Sequence, residues 1–200
     1  MNPLRPNRPR ETDQLGGRQS RSGGTLHCVT AIRTLAEFGS TAAIGPLHCG
    51  ATLNDIAATL GPPWDIGRVS KRRRWPHLFS YGDVELCVCR CRRVTLISVQ
   101  TWRDAIELPA PGTKTLATFA GPPTHTQITA ELNAIGCRLN AVTDHQPPGQ
   151  LTLRVDSTGV TFTFRTEVDS EPLLDSASHW ISTHECTPPA TDAPDDAFGA

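Results

Sequence analysis

The middle of the chain repeats itself, and this repeat constrains the fold more than any other feature of the sequence. Three segments recur in the same order, at a nearly constant offset of about 72 to 78 residues. Residues 52–60 match 124–132, residues 82–86 match 159–162, and residues 96–102 match 174–180. An internal repeat indicates that one structural unit is used more than once. The sequence therefore predicts two similar halves that pack together.

Each half has the pattern of one helix followed by three antiparallel strands. Thr52 and Asp55 form a capping pair where the first helix starts, and Gly61 ends that helix. The second helix is predicted over residues 124–135. The predicted strands are 75–81, 84–91 and 94–102, then 151–155, 160–166 and 173–178. We therefore predict an α+β fold of two tandem helix-plus-three-stranded antiparallel sheet units, with an additional N-terminal helix.

Composition along the chain predicts where these units begin and end. The first residues are polar and rich in Gly and Pro, and such a stretch cannot offset the entropy lost on ordering. An apolar stripe over residues 25–38 predicts the N-terminal helix, with Gly39 just after its end. The predicted parts are a disordered segment 1–24, the N-terminal helix and linker 25–50, repeat unit one 51–120, repeat unit two 121–182, and a disordered acidic tail 183–200.

The order of helix and strands resembles the fold shared by the β-lactamase inhibitor protein and the small outer-membrane lipoproteins of the SmpA/OmlA type. The matching residues are Thr52, Ile56, Leu60-Gly61-x-Pro63 and Phe79-x-Tyr81-Gly82. The resemblance covers about residues 50–182. It implies a curved sheet presented to another protein, and an inhibitor or immunity role follows from this fold analogy alone.

Charge and hydropathy argue against nucleic acid and membrane as partners. The net charge is −1, and no apolar run approaches the roughly 20 residues of a membrane span. Arginine outnumbers lysine 17 to 2, which indicates a GC-rich genome such as an actinobacterium's, so we interpret the basic run at residues 71–74 as a solvated surface. The N-terminus lacks the hydrophobic stretch of a signal peptide, and seven cysteines is an odd number. We therefore predict a cytoplasmic protein with reduced thiols.

No catalytic motif is present in the sequence. Asp144, His145, Ser178 and His179 could be assembled into a triad, but no nucleophile-elbow pattern accompanies them. Glycine-rich phosphate loops and paired-histidine spacings are also absent. We therefore predict that the chain is not an enzyme and needs no cofactor.

Cys87, Cys89 and Cys91 alternate along a predicted strand, so their sulfur atoms would line one face about 6.5–7 Å apart. The repeat aligns this row with polar residues of the second half, which predicts the face away from the helix. Three interpretations remain open: a zinc or copper site with His77 as a fourth ligand, a redox pair, and small apolar filler at an interface. A straight strand spaces the thiols too widely to hold one ion unless it bends.

The tryptophans are the best candidates for a contact surface. Trp102 and Trp180 recur at equivalent repeat positions and are predicted to be structural, whereas Trp64 and Trp75 have no counterpart and are predicted to make contacts. We therefore predict a non-catalytic module that binds another protein through an open sheet face, with partner identity and oligomeric state left open. The alternative is a metal- or ligand-responsive module that uses the Cys87/Cys89/Cys91 row. The protein-binding candidates are Trp64, Trp75, Arg73, Tyr81, Cys87 and Cys89.

Overall fold

The structure, a computed structural model, describes residues 23–110, 113–144, 146–181 and 184–186, with the backbone alone for residues 23–30. Three helices lie in this part of the chain: α1 (Gly23–Thr41), α2 (Leu53–Leu60) and α3 (His125–Ala134). The strands of the first half are β1 (Ala43–Ile44), β2 (Leu47–His48), β3 (Trp64–Ser70), β4 (Arg73–Tyr81), β5 (Val84–Val88) and β6 (Val94–Gln100). Those that follow are β7 (Ala105–Pro109), β8 (Leu116–Ala120), β9 (Leu139–Val142), β10 (Gln150–Val155), β11 (Thr161–Arg165) and β12 (Leu173–Trp180).

Eight strands form one antiparallel sheet in the order β3-β4-β5-β6-β12-β11-β10-β9. The pairs β1–β2 and β7–β8 form separate hairpins. In the part of the chain that the structure describes, strand exceeds helix, with 45% strand and 19% helix. The predicted architecture of two helix-plus-three-strand units is therefore wrong. Strands β3 and β9 extend the sheet at its two edges, and β6 pairs with β12, so all eight strands belong to one sheet.

The two strands of this sheet that the sequence analysis missed, β3 and β9, are its edges, and the strands of both separate hairpins were also missed. Most side chains of β3 and two of the four in β9 are exposed. An edge strand with both faces in water has no need for the alternating apolar pattern from which strands are predicted. The sequence of β3 therefore had the composition of a polar loop.

The core lies between the helices and one face of the sheet. The repeat aligns two apolar rows, one in each half, and every residue of both rows is fully buried. These residues are Val84, Leu86 and Val88 in β5, and Val160, Phe162 and Phe164 in or beside β11. The helices contribute Leu35 and Phe38 from α1, Leu53 and Ile56 from α2, and Ile128 and Leu132 from α3.

The predicted capping pair at the start of α2 is confirmed, and α3 starts with a cap that the sequence analysis did not predict. The Thr52 hydroxyl accepts a hydrogen bond from the Asp55 backbone N–H at 3.2 Å, at the start of α2. At the start of α3, Thr124 and Gln127 form a reciprocal capping box, with bonds of 3.3 and 3.0 Å. Each bond satisfies an N–H group that the helix itself leaves without a partner.

Helix α1 is longer than predicted at both ends, beginning at Gly23 and ending at Thr41. Gly39 therefore lies inside the helix, where an added Cβ would approach Leu132 Cδ2 to 2.6 Å. Residues 1–22 of the predicted disordered segment lie outside the described residues. Among the helices that the structure describes, none is long and apolar enough to cross a membrane.

Candidate functional site

The face of the sheet opposite the helices carries a continuous row of side chains across six strands. Paired residues in register give the row Trp64, Ser80, Glu85, Ser98, Ser178 and Thr161. Directly opposed residues on antiparallel strands point to the same side of a sheet, so these side chains share one face. Apart from Trp64 and Glu85 they are small hydroxyl residues, which makes the floor of this face low and polar.

Trp64 and Trp102 border a cleft at one end of this face. The cleft has a volume of about 300 Å³, and its lining includes Ser80, Glu85 and Gln100. The exposed fraction of Trp64 is 75% and that of Trp102 is 53%. Both indoles therefore present large apolar surfaces to solvent around a polar floor.

The turn between β4 and β5 forms part of the cleft wall and is held in place by hydrogen bonds. Asp83 is buried, accepts from the Glu107 backbone N–H at 2.7 Å, and pairs with Arg103 at 3.2 Å. Gly82 has a φ of 61°, and a Cβ there would lie 2.5 Å from the Glu107 carbonyl oxygen, so only glycine fits this turn. The Arg103 guanidinium also lies 5.0 Å from the centre of the Trp102 ring.

Glu85 is the carboxylate that this arrangement leaves available in the cleft. Its Oε2 accepts a hydrogen bond from Gln100 Nε2 at 3.2 Å. Oε1 accepts none from the part of the chain that the structure describes. Because Arg103 neutralises Asp83, the charge of Glu85 gives the cleft a net negative character.

Three of the four tryptophans differ from their predicted roles. Trp64 is the most exposed of them, as a contact residue requires, but Trp75 is partly buried against the core and stacks under Arg92 at 4.6 Å. Trp102 and Trp180, predicted to be structural, are 53% and 48% exposed, so that prediction is wrong. A shared position in the two halves reflects shared backbone geometry and does not require burial.

Two other predicted contact residues have different surroundings. Tyr81 is buried, and its hydroxyl donates to the Gly61 carbonyl oxygen at 2.8 Å, which ties β4 to the end of α2. Burial raises the pKa of Tyr81 to about 12. Arg73 is exposed at the start of β4. Tyr81 is therefore a structural residue and does not belong to the open face.

The three cysteines of the predicted row do not stay on one strand. Strand β5 ends at Val88, and a turn follows in which Arg92 N–H donates to the Cys89 carbonyl at 2.9 Å, with Arg92 at a φ of 62°. This turn brings Cys89 Sγ and Cys91 Sγ to 2.8 Å from each other. Cys87 remains on the strand beside Thr95, and burial raises the pKa of its thiol.

A histidine and a cysteine from the predicted disordered tail complete this group. His184 Nε2 lies 3.2 Å from Cys89 Sγ and 3.0 Å from Cys91 Sγ. Cys186 joins them, so that four ligand-type atoms lie within 4.8 Å of one another. We call Cys89, Cys91, His184 and Cys186 the thiol cluster. The rest of the predicted tail lies outside the described residues, but the structure places 184–186 against the sheet.

Two thiols of this cluster, Cys91 and Cys186, have shifted pKa values. Burial, with hydrogen bonds to Cys89 and Cys186, raises the pKa of Cys91 to about 12. Burial also acts to raise the pKa of Cys186, but hydrogen bonds from Cys91 and Cys89 and the charge of Arg90 outweigh it and lower that pKa. Of these two thiols, Cys186 therefore holds a negative charge more readily than Cys91.

The other sequence candidates are not brought together. His77 Nε2 lies 2.6 Å from Asp65 Oδ1, so it pairs with a carboxylate and not with the cysteines. Ser178 lies on the open face, whereas the next residue, His179, points to the opposite side of β12. Of the other two residues of the candidate triad, Asp144 is exposed in a turn and His145 lies outside the described residues.

One sequence pattern indicates the thiol cluster, although the sequence analysis did not recognise it. A Cys-x-Cys pair at Cys89 and Cys91 and a His-x-Cys pair at His184 and Cys186 each offer two soft ligands at short spacing. Only the pairing of β12 with β6 explains why two pairs more than 90 residues apart meet.

Comparisons with protein-family models, with curated proteins and with solved structures gave no match for this chain. The resemblance to the β-lactamase inhibitor protein therefore stays a prediction. Function has to be argued from the geometry of the open face and of the thiol cluster.

Proposed function

We propose that the chain is a non-catalytic module that binds another protein across its open sheet face, with the tryptophan cleft receiving a basic side chain of the partner. The observation that carries the proposal is the pair of exposed indoles, Trp64 and Trp102, that line the same cleft as the Glu85 carboxylate. Tryptophan is enriched at binding hot spots because a single side chain buries a large area with few rotatable bonds.

The charge of the cleft selects the chemistry of the partner side chain. Arg103 already compensates Asp83, which leaves Glu85 to attract a cation. A guanidinium or ammonium group that packs against an exposed indole ring also gains cation–π stabilisation, which is stronger in a partly desolvated site. An arginine or lysine of the partner therefore fits this cleft better than an apolar or acidic side chain.

The extent of the surface favours a protein over a small ligand. The row of side chains that starts at the cleft crosses six strands, with small hydroxyl residues on four of them. Beside the cleft, Ile66 and Val69 of the edge strand β3 are 44% and 53% exposed. An edge strand also offers unpaired backbone groups to an incoming chain. These features together provide an extended contact area around the central tryptophans.

A reducing compartment such as the cytoplasm suits the proposal. The six described cysteines form no disulfide with one another, and such thiols persist where the surroundings are reducing. An inhibitor or immunity protein is one form that this module would take, as the resemblance to the β-lactamase inhibitor protein implies.

The test is a selection of displayed random peptides on the immobilised full-length protein. We expect the selected peptides to be enriched in Arg or Lys. Their affinity should fall by about 30-fold or more for Trp64→Ala and for Trp102→Ala, which corresponds to a hot-spot loss of about 2 kcal/mol. Glu85→Gln should weaken the same peptides, since it removes the charge and keeps the shape.

Leu116→Ala is the control, because Leu116 is an exposed apolar residue of the separate β7–β8 hairpin, outside the open face. The control should retain the affinity of the native protein, and all variants should keep its melting temperature within a few degrees. Peptides that bind equally well to the native protein and to both cleft variants would contradict the proposal. So would selected peptides without basic residues.

A further inference from the structure

We propose that the thiol cluster of Cys89, Cys91, His184 and Cys186 binds one zinc ion in tetrahedral coordination. This inference is independent of the protein-binding proposal, because the cluster shares no residue with the tryptophan cleft. It also replaces the predicted row of Cys87, Cys89 and Cys91 with a different ligand set.

The topology of the sheet explains how the two ligand pairs meet. Strand β12 runs antiparallel to β6, with Trp180 opposite Leu96, and Ile181 N–H donates to the Thr95 carbonyl at 3.1 Å. The chain therefore leaves β12 at the end of β6 where the β5–β6 turn lies. His184 follows Ile181 by three residues, which is enough to reach that turn.

The β5–β6 turn provides the bend that a Cys-x-Cys pair needs. On an extended strand the two sulfur atoms would lie about 6.5–7 Å apart, too far for one ion. The strand ends at Val88, next to a register shift between Cys87 and Val88, and the Cys89 N–H donates to the Arg93 carbonyl at 2.9 Å. The two thiols consequently point into one space instead of along one face.

The distances agree with a single tetrahedral ion. Zinc–sulfur bonds of about 2.3 Å place neighbouring ligand atoms about 3.8 Å apart in a tetrahedron. The closest pairs in the cluster are 2.8 to 3.2 Å apart, and all four atoms lie within 4.8 Å. Small side-chain adjustments bring this set to the ideal edge length. The Cys89–Cys91 separation is too long for a disulfide, whose sulfur atoms are about 2.05 Å apart.

The donor set specifies the class of metal. Three thiolates and one imidazole are soft ligands, which favour zinc over calcium or magnesium. Four protein ligands close the coordination sphere, so the ion has a structural role and holds residues 184–186 against the β5–β6 turn. The exposed Arg90 beside Cys186 offsets part of the negative charge of three thiolates.

The test is a Zn²⁺ titration of the full-length, reduced and metal-stripped protein, with bound metal measured by elemental mass spectrometry after desalting. We expect about one tightly bound zinc per chain. Cys186→Ser and His184→Ala should lose this metal, and since both residues lie beyond the last strand, the variants should keep the circular dichroism spectrum of the sheet. In native protein loaded with Co²⁺, we expect a thiolate-to-cobalt charge-transfer band and the absorption of tetrahedral cobalt.

Cys87→Ser is the matched control, since this cysteine lies on β5, two residues before Cys89, and is not part of the cluster. It should retain one zinc per chain. The proposal would be overturned if reduced native protein bound no Zn²⁺. Equal loss of metal in Cys87→Ser and Cys186→Ser, or octahedral cobalt absorption without a thiolate band, would also overturn it.

Discussion

Gly39 shows how a single missing side chain sets the distance between two helices. It lies in α1 where an alanine Cβ would approach Leu132 of α3 to 2.6 Å and Phe162 of β11 to 3.1 Å, and both of these side chains are fully buried. Helix propensity alone would make Gly39→Ala stabilising by about 1 kcal/mol. Overpacking a core costs about 1–3 kcal/mol, so we expect a net loss of about 1 kcal/mol in urea unfolding.

The neighbouring Ser40→Ala variant is the control for Gly39→Ala, because it also adds helix propensity but removes only a hydroxyl that bonds within the helix. It should change the free energy of unfolding by less than about 0.5 kcal/mol. A gain of stability in Gly39→Ala would show that the two helices separate without cost.

Single residues also mark the limit of what the sequence could predict about the sites. Alternation along β5 correctly predicted that Cys87 lies opposite the core, because that pattern is local. The ligand pair His184 and Cys186 could not be assigned, since its partners lie more than 90 residues away and meet it through strand pairing. The structural role predicted for Trp102 is wrong for a related reason, because the exposure of a side chain depends on which neighbours cover it.

At the scale of single elements, the capping box of α3 offers a direct measurement. Its two hydrogen bonds join the backbone N–H group and the side chain of Thr124 to those of Gln127. Helix α3 also carries two of the buried core residues. We expect Thr124→Ala to lower the free energy of unfolding by about 1 kcal/mol, the usual cost of removing an N-cap side chain. Thr118→Ala, at an exposed position of β8, is the control and should have little effect. An equal effect of the two variants would contradict a role for the cap.

The elements that the sequence predicted are those with a local signal, namely capped helices and strands with one buried face. Strand β3 lacked such a signal because it is an edge with exposed side chains on both faces. The predicted C-terminal ends of β5 and β6 lie beyond the observed ends, because the predicted strands extend into the residues that follow each strand.

For the whole molecule, the pairing of β6 with β12 predicts a single unfolding transition. The two groups of four strands share this pairing, and Thr101 beside it is fully buried, with its hydroxyl donating to the Leu174 carbonyl at 2.6 Å. Because the two groups share one sheet and one core, neither should unfold alone. We expect tryptophan fluorescence and far-ultraviolet circular dichroism to give coincident urea transitions. Two separated transitions would mean that the groups are independent.

The position of β12 has a consequence for how the chain folds. It lies in the middle of the sheet, but it follows every other strand of that sheet along the chain. During synthesis, β6 and β11 must therefore wait with unpaired edges until β12 leaves the ribosome. Open edges of this kind recruit other chains, and pairings between distant residues form slowly. A pause in translation before residue 173 would accordingly produce an aggregation-prone intermediate with two half-sheets, each lacking the same neighbour.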